Sequence, residues 1–258
     1  MSARRVVATV APKGGVGKTF ISKLLHDLLP THGRRVASWD LDAATGTFAV
    51  YHDAIKTFDL NANSSVQSWL DDCYEADFDD VLIDVPGGRI DDLLSTFGNN
   101  GTEALVAAVK ASGRELVVVN PIGAMVAETL TAQVVLNTFS GTAARIVIVK
   151  NGRFGNADDF VIYDGINENG MRRYGATSDL AASAGAETVF LPSMPPRLLA
   201  QADAERLRLI QAAGADGVGR MGRLGAARVQ MYLSSVAEAF RDSSLDLDGK
   251  LPEHMVPR

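Results

Sequence analysis

Val6-Val7-Ala8-Thr9-Val10-Ala11-Pro12-Lys13-Gly14-Gly15-Val16-Gly17-Lys18-Thr19-Phe20 is the stretch whose reading decides the fold. Val6–Val10 is β-branched at every position but Ala8 and reads as a strand, which Pro12-Lys13-Gly14-Gly15 stops. From Gly17 to Leu29 the apolar residues Ile21, Leu24, Leu25, Leu28 and Leu29 recur at helical spacing, with Pro30 placed just beyond the expected end. A strand, a glycine-rich turn and a new helix in that order make a phosphate cradle. Glycines at 14, 15 and 17 let successive backbone N–H groups, that of Val16 included, turn inward, and the helix contributes its positive end. Lys18 can then reach β- and γ-phosphates, and the Thr19 hydroxyl can ligate magnesium.

Outward from this stretch the chain alternates short β-branched runs with helical patterns. Strands are expected at Arg35–Trp39, Val81–Val85, Leu116–Val119, Arg145–Val149 and Thr188–Leu191. The implied class is α/β, a mostly parallel twisted sheet with helices on both faces. With 258 residues, 47% hydrophobic, the chain is long enough for a single P-loop ATPase domain over 1–241. The acidic, proline-containing segment 242–258 is expected to fray.

A formal net charge of −6 excludes a bulk polycation, so any contact with nucleic acid must be local. Cys73 is the single cysteine, which excludes an intrachain disulfide framework and any iron–sulfur or zinc centre built on paired cysteines. The first ten residues are too weakly apolar for a signal peptide, and no apolar run approaches the ~18 residues of a membrane span; the expected compartment is the cytoplasm. His26, His32, His52 and His254 lack metal-ligand spacing and read as surface or capping residues.

The loop departs from the common G-x-x-x-x-G-K-[ST] form, since Pro12 stands where the first glycine would be and Lys13 follows it. Lys13-Gly14-Gly15-Val16-Gly17-Lys18-Thr19 resembles the deviant Walker A loop of the ParA/MinD ATPases. The resemblance implies that Lys13 is a signature lysine, crossing a dimer interface to the partner's ATP. Asp40-Leu41-Asp42 at the end of the second strand is similar to the family's paired acids: it implies Asp40 near magnesium and Asp42 positioning the attacking water. Val81-Leu82-Ile83-Asp84-Val85-Pro86-Gly87-Gly88 resembles its Walker B strand, with Asp84 holding magnesium through water. Phe20 stands where the family carries a small hydroxyl residue at the α-phosphate, and Ala43 replaces a proline. Asn151 follows the fifth strand, where related ATPases place an asparagine against the base; before Gly152 it also reads as a turn residue.

Asp40-Leu41-Asp42 followed by Ala44-Thr45-Gly46-Thr47-Phe48, and the stretch Asn151-Gly152-Arg153-Phe154-Gly155, look more like the TraL-type ATPases of plasmid transfer operons than chromosomal ParA. The implied function is an ATP- and Mg2+-dependent dimeric switch for DNA or plasmid partition, conjugative transfer or cargo positioning. A protein partner would stimulate hydrolysis or carry the cargo. A metabolic ATP-dependent ligase on the same fold and a nearly inactive nucleotide-binding scaffold are the competing readings. Arg206, Arg208, Arg220, Arg223 and Arg228 give the late helices a basic bias suited to nonspecific DNA, or alternatively to pairing with Asp203, Glu205 and Glu238. The acidic run after Asp242 argues against a basic membrane-targeting helix.

Overall fold

Parallel strands covered on both faces should be buried and largely apolar along their length, as the central strands of this sheet are. The computed structural model describes residues 3–42, 46–60, 66–75, 77–169, 171–247 and 251. Strands β1 (Arg5–Thr9), β2 (Val36–Asp40), β3 (Ile55–Thr57), β4 (Asp80–Asp84), β5 (Glu115–Ile122) and β6 (Arg145–Asn151) join β9 (Glu187–Leu191) in one sheet. Its order is β3-β2-β4-β1-β5-β6-β9, and every neighbouring pair is parallel. Strands β7 (Ile166–Glu168) and β8 (Met171–Arg173) form a separate antiparallel hairpin.

Helices α1 (Lys18–Thr31), α2 (Val66–Tyr74), α3 (Ile90–Ser95), α4 (Gly101–Ala111) and α5 (Val126–Phe139) alternate with the first strands. Helices α6 (Val161–Asp164), α7 (Ala176–Ser183), α8 (Pro196–Ala204), α9 (Leu209–Ala213) and α10 (Ala215–Phe240) complete the cover. Alternate residues of one strand enter opposite cores. Val7, Leu82, Val117 and Val147 pack with Ile21, Leu24, Leu25, Leu28 and Leu29 of α1 and with α8–α10. Val6, Val81, Val118 and Ile146 pack on the other face with Trp69, Leu93, Leu105 and Val135. The chain winds from β1 through β2, β3 and β4 on one side, then crosses to β5 on the other. Winding reverses beside the carboxyl end of β1, the place where open α/β sheets bind ligands.

Three expectations change. Pro30 lies inside α1, within its last turn; the helix ends at Thr31, and Gly33 at φ +75° donates its N–H to the Pro30 carbonyl. The short edge strand β3 and the polar hairpin β7–β8 were not expected. The segment after Arg241 does not fray over its described part: Leu245 and Leu247 are fully buried. The Arg5 guanidinium donates to the carbonyls of Ser244 (2.8 Å) and Leu245 (2.7 Å), while Glu187 accepts from the Ser244 N–H at 2.6 Å. Two leucines and a set of backbone acceptors outweigh the acidic composition. Residues 248–250 and 252–258 lie outside the described part.

Candidate functional site

The turn from β1 to α1 needs left-handed backbone at Gly15 (φ +84°) and Gly17 (φ +99°), which L side chains resist. Gly17 is doubly constrained, because a Cβ there would lie 2.3 Å from the Asn151 amide nitrogen. Across the mouth, Gly87 comes so close that a Cβ would meet the Lys18 ammonium at 3.1 Å and Gly14 Cα at 3.2 Å. The loop after β4 and the loop after β1 therefore form one narrow cleft of backbone.

Lys18 opens α1 and is 8% exposed. Burial lowers its pKa, and the carboxylates of Asp84 and Asp42 oppose that shift. Its ammonium donates to the Lys13 carbonyl over a long 3.4 Å. At the next position of α1, the Thr19 hydroxyl donates to Asp84 Oδ2 at 2.8 Å. Asp84 Oδ1 accepts from Thr9 (2.8 Å) and Ser22 (2.9 Å). Burial raises the Asp84 pKa; the three hydroxyls pull it back and Asp40 adds to the rise. Thr9 and Ser22 were not anticipated, although both sit close to the loop in sequence, on β1 and α1.

Asp40 closes β2 opposite Asp84, near enough for its charge to raise the Asp84 pKa. Its Oδ1 accepts the Asp42 N–H (2.9 Å), and its Oδ2 accepts those of Phe48 (2.8 Å) and Ala49 (2.9 Å), with the residue 1% exposed. The carboxylate gathers the loop that carries Asp42. Asp42 itself is half-buried and near enough to act on the Lys18 charge. Ala43–Thr45 lie outside the described residues.

Asn151 reaches the cleft and is buried. Its amide donates to the Val16 carbonyl at 2.9 Å, and its Oδ1 accepts the Arg153 N–H at 3.1 Å. The side chain fastens the phosphate loop to the end of β6 while also forming the turn expected before Gly152. Asn120, which was not anticipated, does the same from β5 by donating to the Val10 carbonyl at 2.8 Å. Phe20 packs against the core on the α1 side. Lys13 is exposed, and its ammonium lies 3.9 Å from Glu128 Oε1.

Outside the cleft, Arg208 turns inward to the buried Asp27 (3.4 Å) and is not part of an outer basic face. Arg206, Arg220, Arg223 and Arg228 are exposed, with Arg220 donating to the Glu205 carbonyl at 2.9 Å. His26 is buried rather than superficial: its Nδ1 lies 2.9 Å from Ser38 Oγ and its Nε2 lies 3.2 Å from His52 Nδ1. Burial, aided by His52, pushes its pKa down to about 4. Cys73 is buried and its thiol pKa is pushed up to about 12 by burial, as an inert core residue requires. Among the described residues, no helix is long and apolar enough to cross a membrane.

A family model described as the CobQ/CobB/MinD/ParA nucleotide binding domain matches residues 7–224. No curated protein matches the sequence. Among solved structures, a nucleotide-binding protein in complex with ADP from Archaeoglobus fulgidus is 20% identical. The likeness covers 79% of this chain and 87% of that one, with a TM-score of 0.48. A complex of a Cyanothece McdA variant with ATP is 12% identical over 93% and 97% of the two chains, TM-score 0.48. A chain of the MinC:MinD cell division protein complex of Aquifex aeolicus is 12% identical over 88% and 94%, TM-score 0.46.

Proposed function

Because the chain belongs to the CobQ/CobB/MinD/ParA nucleotide-binding domain family, we propose that it is an ATP-binding and ATP-hydrolysing switch that dimerises around its nucleotide. The observation that carries this reading is the environment of Lys18: a buried ammonium, held by one long contact to the Lys13 carbonyl, beside a Thr19–Asp84 pair at a glycine-lined mouth. Among the described residues the Lys13 carbonyl is the one acceptor within hydrogen-bond reach of this buried cation, and a polyphosphate supplies more.

Gly14–Gly17 would present backbone N–H groups to the phosphates, and Lys18 would neutralise the β- and γ-oxygens. The Thr19 hydroxyl and Asp84 Oδ2, 2.8 Å apart, are hard oxygen donors of the kind that hold magnesium directly or through water. The ion, when bound, offsets charge on the β- and γ-phosphates. Asp42, on a loop fixed by Asp40, would orient the water that attacks the γ-phosphorus as the bond to the β–γ bridging oxygen breaks. Lys13, exposed at the loop mouth, would approach the phosphates of a second copy and couple hydrolysis to association. Arg206, Arg220, Arg223 and Arg228 offer a surface for nonspecific duplex DNA, one form the cargo could take.

The two lysines separate this reading from a generic P-loop protein. Lys18→Ala should lose ATP affinity by about tenfold or more, since a charge-assisted contact contributes roughly 1.5–3 kcal/mol. Lys13→Ala should bind ADP as a monomer like the wild type, yet lose ATP-dependent dimerisation and turnover. Sedimentation with a nonhydrolysable ATP is the measurement, and a Lys13→Ala dimer as tight as wild type with unchanged turnover would overturn the reading.

A further inference from the structure

Helix α5 carries a single charged residue, Glu128, among fourteen, and that residue is aimed at the phosphate loop. Glu128 is folded into a niche: its side chain is 15% exposed, and Oε2 occupies the space in which a Cβ on residue 123 would lie at 1.9 Å. Any residue but glycine at 123 would push the carboxylate out. Oε2 is 3.5 Å from the Met125 N–H, so the helix start restrains it, and Oε1 is left facing the Lys13 ammonium at 3.9 Å. Lys13 is therefore held at two points. Its side chain faces α5 of its own subunit, and its carbonyl accepts from Lys18.

These contacts oppose the role proposed for Lys13, which requires the side chain to leave its own subunit. We infer that Glu128 is a positioning residue that keeps Lys13 against its own subunit until a nucleotide-loaded second copy offers a stronger anion. The inference rests on the dimeric-switch reading for its consequence, but not for the contact itself. Entry of a polyphosphate gives Lys18 better acceptors than the Lys13 carbonyl, which releases one of the two restraints. A triphosphate carrying several negative charges then outcompetes one carboxylate for the Lys13 ammonium, but only when it arrives on the facing subunit. Glu128 thus sets a threshold: association without γ-phosphate does not repay the loss of the Lys13–Glu128 pair. Half-exposed ion pairs change equilibria by about two- to fivefold, enough to tune an interface without abolishing it.

Two measurements test this. Zero-length carbodiimide coupling of the dilute, nucleotide-free wild-type chain should yield an intrachain Lys13–Glu128 amide, identified by peptide mass spectrometry. Its yield should fall when nonhydrolysable ATP is added at dimerising protein concentrations. Absence of that cross-link in the nucleotide-free chain overturns the inference. Glu128→Gln keeps the side-chain shape in its niche and removes the charge. It should leave the ATP affinity of the monomer unchanged and tighten ATP-dependent dimerisation by about two- to fivefold. A variant dimer no tighter than wild type, or weaker, likewise overturns it, the second because Glu128 would then be aiming Lys13 rather than restraining it. If the wild type forms no dimer with ATP, the switch reading falls, and the cross-link still decides whether Glu128 holds Lys13.

Discussion

Replacing Asp40 by Asn separates the role seen in the structure from the one the sequence implies. Asp40 is 1% exposed and accepts three backbone N–H groups, from Asp42, Phe48 and Ala49, at 2.8–2.9 Å. Asparagine has almost the same volume but one oxygen, so at least one of these donors must face an amide NH2. Hydrogen bonds to a charged acceptor contribute about 1.5–3 kcal/mol each, and the bonds that remain become neutral and weaken to ~1 kcal/mol. The expected loss is about 2.5–7 kcal/mol, a large share of the ~5–15 kcal/mol that holds a domain together. Urea unfolding at neutral pH measures it directly. Hydrogen exchange should show faster exchange at Phe48 and Ala49, while Mg-ATP affinity falls only as far as the loop loosens. If Asp40→Asn keeps its stability to within ~0.5 kcal/mol and leaves those amides protected, the loop-gathering role is wrong. A selective loss of Mg2+ dependence would return Asp40 to the metal.

Asp42→Ala should keep ATP binding and lose turnover, since a group that orients water acts on the transition state more than the ground state; wild-type turnover in the variant would move that role elsewhere. Reversal of Arg220 and Arg223 to Glu should weaken duplex binding in the presence of ATP, in an interaction that falls steeply with salt; no wild-type mobility shift at low salt would remove DNA as cargo. His26 has a folded pKa of about 4 against 6.5 unfolded, so the unfolded chain takes up its proton first and stability drops as pH falls through that window. Between pH 7.5 and 5 the His26 contribution is about 2 kcal/mol, and His26→Gln should flatten that part of the stability–pH curve; an unchanged slope would show that His26 is not the group responsible.

The sheet was legible because strands buried on both faces cannot hide: all six expected strands are present, shifted or extended by at most a few residues. What escaped was polar or short. Ile55-Lys56-Thr57 pairs with β2 at the sheet edge with two of its three residues exposed, and Met171-Arg172-Arg173 pairs only with its own hairpin partner. Neither has the apolar pattern by which a strand announces itself. Pro30 misled for a different reason, since a proline in the last turn costs a helix only one N–H contact and leaves its end to Gly33. Leu245 and Leu247 were masked by the acids around them, and the Leu245 carbonyl is held by Arg5, 240 residues earlier.

Within the site, the phosphate loop was legible because its chemistry is written in glycines and in Lys18-Thr19, whose geometry the backbone enforces locally. The strand-end carboxylates were not equally legible. Asp40 and Asp84 both close parallel strands and stand opposite each other in the β2–β4 register, so sequence alone assigns them the same work. What distinguishes them is the identity of their donors. Asp84 faces hydroxyls, Thr9, Thr19 and Ser22, which rotate and can exchange a carboxylate for an ion or a phosphate. Asp40 faces peptide N–H groups, which are fixed by the chain and cannot turn away. A carboxylate among hydroxyls can reorganise around a ligand, whereas one among amides moves only with the loop that carries them. By the same reasoning Asp42, whose own N–H is held by Asp40 while its side chain lies close enough to act on Lys18, is the acid of the pair to which the proposed mechanism gives the water.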